Sequence, residues 1–255
     1  SVQADGDLSL TAIASQTIDS LVVAGSVAVG AGGTAGIGAA GSGVFAENKI
    51  GVDVKSYIDG DGASGILADS ITLTAQDTST INAFAGAASL AASVGGTAAV
   101  SFSIGVSLAQ NTITSDVAAY IKNVDGMLET TVGDVRLLAE EMATIDAISA
   151  AASLAAGFAG LASITVSGAG AEATNVILTS TNAYVEGSTL KSAGDILIDA
   201  TNTSSIDATI VAASAALSIG GTVGGGASIG AALATNLIGF TEGGPRQGAE
   251  VQAYI

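Results

Sequence analysis

Residues 144–185 read TIDAISAAASLAAGFAGLASITVSGAGAEATNVILTSTNAYV. Asp146, Asn175 and the Tyr184-Val185 pair punctuate this stretch, and Glu172 is the one charge between Asp146 and Asn175. The same stretch occurs four times. Asp19, Asn82, Asp146 and Asp207 precede Asn48, Asn111, Asn175 and Asn236, each by 29 residues. Tyr57, Tyr120 and Tyr184 follow their asparagines by nine residues; Tyr254 follows Asn236 by 18, because FTEGGPRQG (240–248) is inserted. Copies start 63, 64 and 61 residues apart. Such a period marks a tandem array whose copies bury their apolar faces against one another. One continuous array covers 1–255, in units of about 1–58, 59–121, 122–185 and 186–255.

Within a unit, a Gly-Gly pair (Gly32-Gly33, Gly95-Gly96, Gly220-Gly221; Ala159-Gly160 in the third copy) divides the near-chargeless run into two arms. The second arm of copy two alternates Val100, Phe102, Ile104 and Val106 with Ala99, Ser101, Ser103 and Gly105. Period-two patterning without charge predicts strands buried on both faces, with Gly-Gly as a hairpin reversal at positive φ. Shorter alternating strands follow Gly6-Asp7, Asp69-Ser70, Gly133-Asp134 and Gly194-Asp195. Polar connectors such as Asp77-Thr-Ser come next, and a last strand follows each asparagine. The fold expected is an all-β tandem-repeat solenoid of four ~63-residue units, with the number of coils per unit open. The alternative is an α/β repeat in which Ala147 to Phe158 is a helix capped by Asp146.

Composition narrows the function. Six Lys and Arg against 23 Asp and Glu give a net charge of −17, which excludes nucleic-acid phosphates as a partner. Without Cys or His there is no disulfide, thiolate or imidazole chemistry. The acids sit mainly in turns, and Arg136 and Arg246 fall in different contexts, so no catalytic cluster breaks the repeat and no enzyme is expected. Asp59-Gly60-Asp61-Gly62 is a turn first, since the nonapeptide and EF-hand patterns are lacking, and a metal site second; calcium is the one cofactor it suggests. A membrane location is disfavoured by the density of Gly, Ser and Thr in runs otherwise long enough to span as helices or hairpins.

Identical residues at equal spacing stack when repeats stack. Asn48, Asn111, Asn175 and Asn236 are expected to form an amide ladder, and Tyr57, Tyr120, Tyr184 and Tyr254 a ring stack, at the strand spacing of ~4.8 Å or a small multiple of it.

Gly-Asp-x-x-(Leu/Ile)-x-Ala, Thr-Ile-Asp-Ala, the Gly/Ala/Ser run, Asn-x-Ile and Ala-Tyr-Ile together resemble repeats of very large bacterial surface proteins, of the filamentous-haemagglutinin-like and giant-adhesin type. The resemblance covers all four copies. It implies secretion, a parallel β-helix or related solenoid, and a role as stalk, fibre or adhesive at the bacterial surface. Ser1-Val2 aligns with Thr189-Leu190, so a longer array is expected, with copies of itself or adjoining repeats as partners. A cell-surface or glycan ligand at the loops or at insertion 240–248 is the second expectation, and a membrane-inserted β-assembly the third.

Overall fold

The computed structural model describes residues 2–62, 64–244 and 249–255. Each copy is one coil of a parallel β-solenoid, and no helix occurs among the described residues. The first coil holds β1 (Val2–Gln3), β2 (Leu8–Ala14), β3 (Thr17–Gly32) and β4 (Ala35–Asp59). The second holds β5 (Ile66–Ala68), β6 (Ile71–Asp77), β7 (Thr80–Gly95) and β8 (Ala98–Lys122). The third holds β9 (Leu128–Thr130), β10 (Val135–Glu141), β11 (Thr144–Ala159) and β12 (Ala162–Glu186). In the fourth, β13 (Leu190–Lys191), β14 (Ile196–Asn202), β15 (Ser205–Gly220) and β16 (Val223–Ile238) are followed by β17 (Glu250–Tyr254), beyond the insertion.

Each strand pairs only with its equivalents in the coils before and after, always in parallel. Asn48 lies opposite Asn111, Asn111 opposite Asn175 and Asn175 opposite Asn236, so the repeat period is one coil. The backbone groups of a Gly/Ala/Ser-rich run, which a hairpin would pair within the unit, are instead satisfied by the neighbouring copies.

Three expectations about the elements change. The Ala-rich segment from Ala147 to Phe158 is strand β11, not a helix, because Asp146 stands in register with Asn82 and Asp207 rather than capping a turn. In the first three coils the strand after the asparagine is no separate element; it continues the second arm in one 25-residue strand, as in β8, and only in the fourth does the insertion split off β17. The Gly-Gly reversal joins two facing sheets rather than two paired strands, and none of its glycines has positive φ. Glycine is kept at the second position in all four coils because they stack closely. A Cβ on Gly96 would overlap the Gly33 carbonyl, and one on Gly160 the Gly96 carbonyl. At the first position a Cβ on Gly32, Gly95 or Gly220 would overlap the carbonyl of Ala35, Ala98 or Val223, and the third coil alone carries a methyl group there, Ala159.

The interior tapers. At the broad base, β2, β6, β10 and β14 and the C-terminal ends of the long strands enclose Ile71, Leu73, Val117, Ile121, Leu128, Val135 and Leu137. Midway the core is Ile81, Ala83, Ile113, Ile145 and Ile177, then Ala85, Ala87, Ala109 and Ala173. Beyond it, the arms form a thin blade with Ala151, Ala169, serines and glycines inside. A Cβ on Gly105 would come within 2.6 Å of the Ala152 carbonyl across the blade. The two sheets are thus closer than the ~10 Å of ordinary facing sheets. Serine hydroxyls bridge them: Ser89 to Ser103 at 2.7 Å, Ser93 to Ser101 at 2.7 Å and Ser153 to Ser167 at 2.6 Å.

The bulky parity therefore points out. Leu21, Ile37, Phe102, Ile104, Ile164 and Leu217 are all exposed, Leu21 at 74% and Phe102 at 45%. The expectation of arms buried on both faces is overturned, because backbone spacing inside the blade leaves no room for anything larger than a small side chain.

Candidate functional site

The structure brings the four asparagines into one column. Asn48 Nδ2 donates to Asn111 Oδ1 at 2.8 Å, Asn111 to Asn175 at 2.8 Å, and Asn175 to Asn236 at 2.9 Å. Asn111 and Asn175 are fully buried, so each side chain both donates and accepts along the column where no water serves it. This column stands inside the solenoid, midway along the long strands and close to where the base narrows into the blade.

The tyrosines form the second column, on the outer surface of β4, β8, β12 and β17. Ring centroids are 4.9, 4.9 and 5.2 Å apart, with planes within 8° of parallel. Burial within the stack, and next the neighbouring phenols, push the Tyr120 and Tyr184 hydroxyls above their ordinary range.

Asp59 and Asp61, the weak calcium candidates, are engaged in the stacking of turns. Asp59 Oδ1 accepts from Asn123 Nδ2 at 2.7 Å, and Asp61 Oδ2 accepts from the Gly126 amide at 2.5 Å, both in the next coil. Gly60 and Gly62 supply the positive φ (79° and 67°) that the turn needs. Among the described residues no group of three metal-ligating side chains occurs.

An interior acid pair was hidden in the connectors. Asp77 and Glu141, last residues of β6 and β10, lie in register and are fully buried. Asp77 accepts from the Ser79 amide at 3.1 Å, the Ser79 hydroxyl at 2.6 Å and the Ser115 hydroxyl at 2.7 Å. No hydrogen bond of good geometry reaches either Glu141 oxygen. Burial, and then the Asp77 carboxylate, push the Glu141 carboxyl up to about 8; a neutral acid supplies the proton that two facing carboxylates lack. The signal was available: Asp77 and Glu141 continue the inward parity of Ile71-Leu73-Ala75 and Val135-Leu137-Ala139. In the fourth coil the position is Asn202, whose Nδ2 donates to the Thr179 hydroxyl at 2.7 Å.

Charge is used sparingly. Lys55 bridges to Asp116 at 2.8 Å, Lys122 to Glu186 at 3.1 Å and Lys191 to Glu129 at 2.5 Å, each from one coil to the next. Lys49 and Arg136 pair with Glu47 and Asp134 in their own coils, which leaves no described basic side chain unengaged. Of the insertion, Phe240 is an exposed bridge residue and 241–244 follow it as a turn; Pro245, Arg246, Gln247 and Gly248 lie outside the described residues.

Chemically, the arrangement offers ladders, braced turns and apolar faces. Many hydroxyls in the blade are spent on one another and on carbonyls, as where Ser101 donates to the Ala156 carbonyl at 2.6 Å, while those of Ser26, Ser42, Ser163 and Thr165 are buried without a hydrogen-bond partner. No family model, curated protein or solved structure matches the chain.

Proposed function

We propose that the chain is a structural repeat module of an extracellular bacterial fibre or surface stalk, extending end to end through its coil edges. One observation carries this reading: all four sheets keep register from coil to coil, so the first and fourth coils end in open rows of backbone donors and acceptors of the same geometry. Such edges template further pairing, and repeat stability grows with every interface added. The Asn and Tyr columns reinforce the register, since a coil displaced along the strand loses both at once. The resemblance to giant surface-protein repeats points the same way, as does an acidic surface on an otherwise apolar chain.

Negative-stain electron microscopy of the purified chain without detergent is the test. Filaments with a regular axial repeat are expected, and discrete particles at every concentration would reject end-to-end assembly. A second reading, an adhesin domain binding a surface or glycan ligand, rests on insertion 240–248, which interrupts the longest sheet between Ile238 and Glu250. Loss of ligand binding on deleting 240–248, with the coils intact, would favour it.

A further inference from the structure

The outer face of the blade formed by β3, β7, β11 and β15 carries no charge from Leu21 to Ala31 or at their register partners, and Thr209 is its one polar side chain. A column of small residues, Gly25, Ala88, Ala152 and Ala213, crosses all four coils as the floor of an open groove of about 430 Å³. Beside it runs a ridge of Val27, Leu90 and Leu154. The opposite face is less uniform, since Glu172 stands among its apolar columns.

We propose that two copies of the chain pair face to face through this surface, the ridge of each seated in the groove of the other. A two-fold axis parallel to the solenoid axis, between the groove and the ridge, makes the face self-complementary, as isologous pairing requires. That operation sets the strands of the two copies antiparallel and opposes each coil to its own equivalent. It thus holds for an array of any length. The acidic column Asp19, Asp146 and Asp207 comes to lie beside the partner's uncharged Gly-Gly tip, and the broad bases lie at opposite ends, which separates the two net charges of −17.

Area agrees. Ten residues along the strand at ~3.3 Å each, by four strands at ~4.8 Å, give a flat projection of roughly 600 Å². Side-chain relief raises this toward the ~800 Å² per partner of a stable interface. Exposed apolar patches of this size mark interaction surfaces. A lipid hydrocarbon phase is the rival occupant and fits less well. It would enclose the open edges of the first and last coils, whose N–H and C=O groups find no partner there, whereas a second copy covers the face and leaves the edges to water or a further coil.

The test is sedimentation of the whole chain without detergent between about 1 and about 100 μM, the range that a moderate interface populates. Wild type is expected to pair laterally, as a dimer where the coil ends stay free and as doubled filaments where they join. Leu90→Asp with Leu154→Asp should weaken association on the order of 100-fold, whereas Ile104→Asp with Ile164→Asp on the opposite face should leave it intact. Circular dichroism checks that both pairs fold. The chain has no cysteine, so nitroxides on Ala88→Cys read the same face without added charge; a short inter-chain distance is expected there and none on Ile104→Cys. A wild type that stays monomeric, or one whose Ala88→Cys and Ile104→Cys labels give the same inter-chain distances, as end-to-end growth alone would produce, overturns the proposal. So does a monomer that partitions into phosphatidylcholine vesicles, which would make hydrocarbon the occupant.

Discussion

The base and the blade are made from the same ladders, yet one is a conventional protein interior and the other is inside out. At the base, Leu73, Leu137 and Ile121 are fully buried between sheets held apart by their volume. In the blade, Ser103 and Ser163 are buried, while Phe102, Ile104 and Ile164 face outward. The hydrophobic effect is satisfied at the base by burial within the coil. In the blade it is left over, because sheets bridged by Ser–Ser hydrogen bonds approach too closely to admit the larger parity. Spacing between sheets, rather than hydropathy, decides which parity is inside.

The largest effect that tests this contrast is a cavity at the base. Leu137→Ala should cost about 2–5 kcal/mol, measured as a fall in the urea midpoint. A loss under half of that would mean the base is not close-packed. In the blade the sensitive direction reverses, and enlargement is what harms. Gly105→Val places carbon against the Ala152 carbonyl and should cost about 1–3 kcal/mol. A neutral result would show that the two sheets part freely.

A smaller effect, spread over pH, comes from the acid pair at the corner of the base. Glu141 titrates near 8 in the folded chain against 4.5 ordinarily, so between these values the folded state holds a proton that the unfolded state has released. The contribution of Glu141 to stability is then greatest at acid pH, falls as pH rises through the window, and levels off above it, by at most ~1.4 kcal/mol per pH unit. Glu141→Gln keeps a donor beside Asp77 and removes the proton, so its denaturation midpoint should be flatter between pH 5 and pH 8. Equal slopes for mutant and wild type would place the titration elsewhere.

Much of the architecture could be read from residues alone. The 29-residue spacing from Asp146 to Asn175, repeated in every copy, defined the array, and the alternation in 98–109 marked strands. Equal spacing also placed the Asn and Tyr columns. What could not be read was phase. Alternation states that two parities exist, and the usual assumption buries the bulky one. The contrary signal lay in symmetry about the Gly-Gly tip: Ser89, Ala91 and Ser93 before it mirror Ala99, Ser101 and Ser103 after it, as two facing small surfaces would. Asp77 and Glu141 were missed because polarity at a strand end resembles a loop, although their parity points inward.

The smallest expected effect is the most discriminating for the inverted blade. Ile164 is a large β-branched side chain near the start of a 25-residue strand, where a conventional reading would expect its loss to be severe. It is 54% exposed and lies on the face opposite the groove. Ile164→Thr keeps β-branching and strand propensity while removing apolar volume that stays more than half exposed to water. Its effect on the urea midpoint should correspond to within about 0.5 kcal/mol, the range of ordinary surface substitutions. A loss comparable to Leu137→Ala would mean that Ile164 is buried after all, and that the blade is packed from its bulky side.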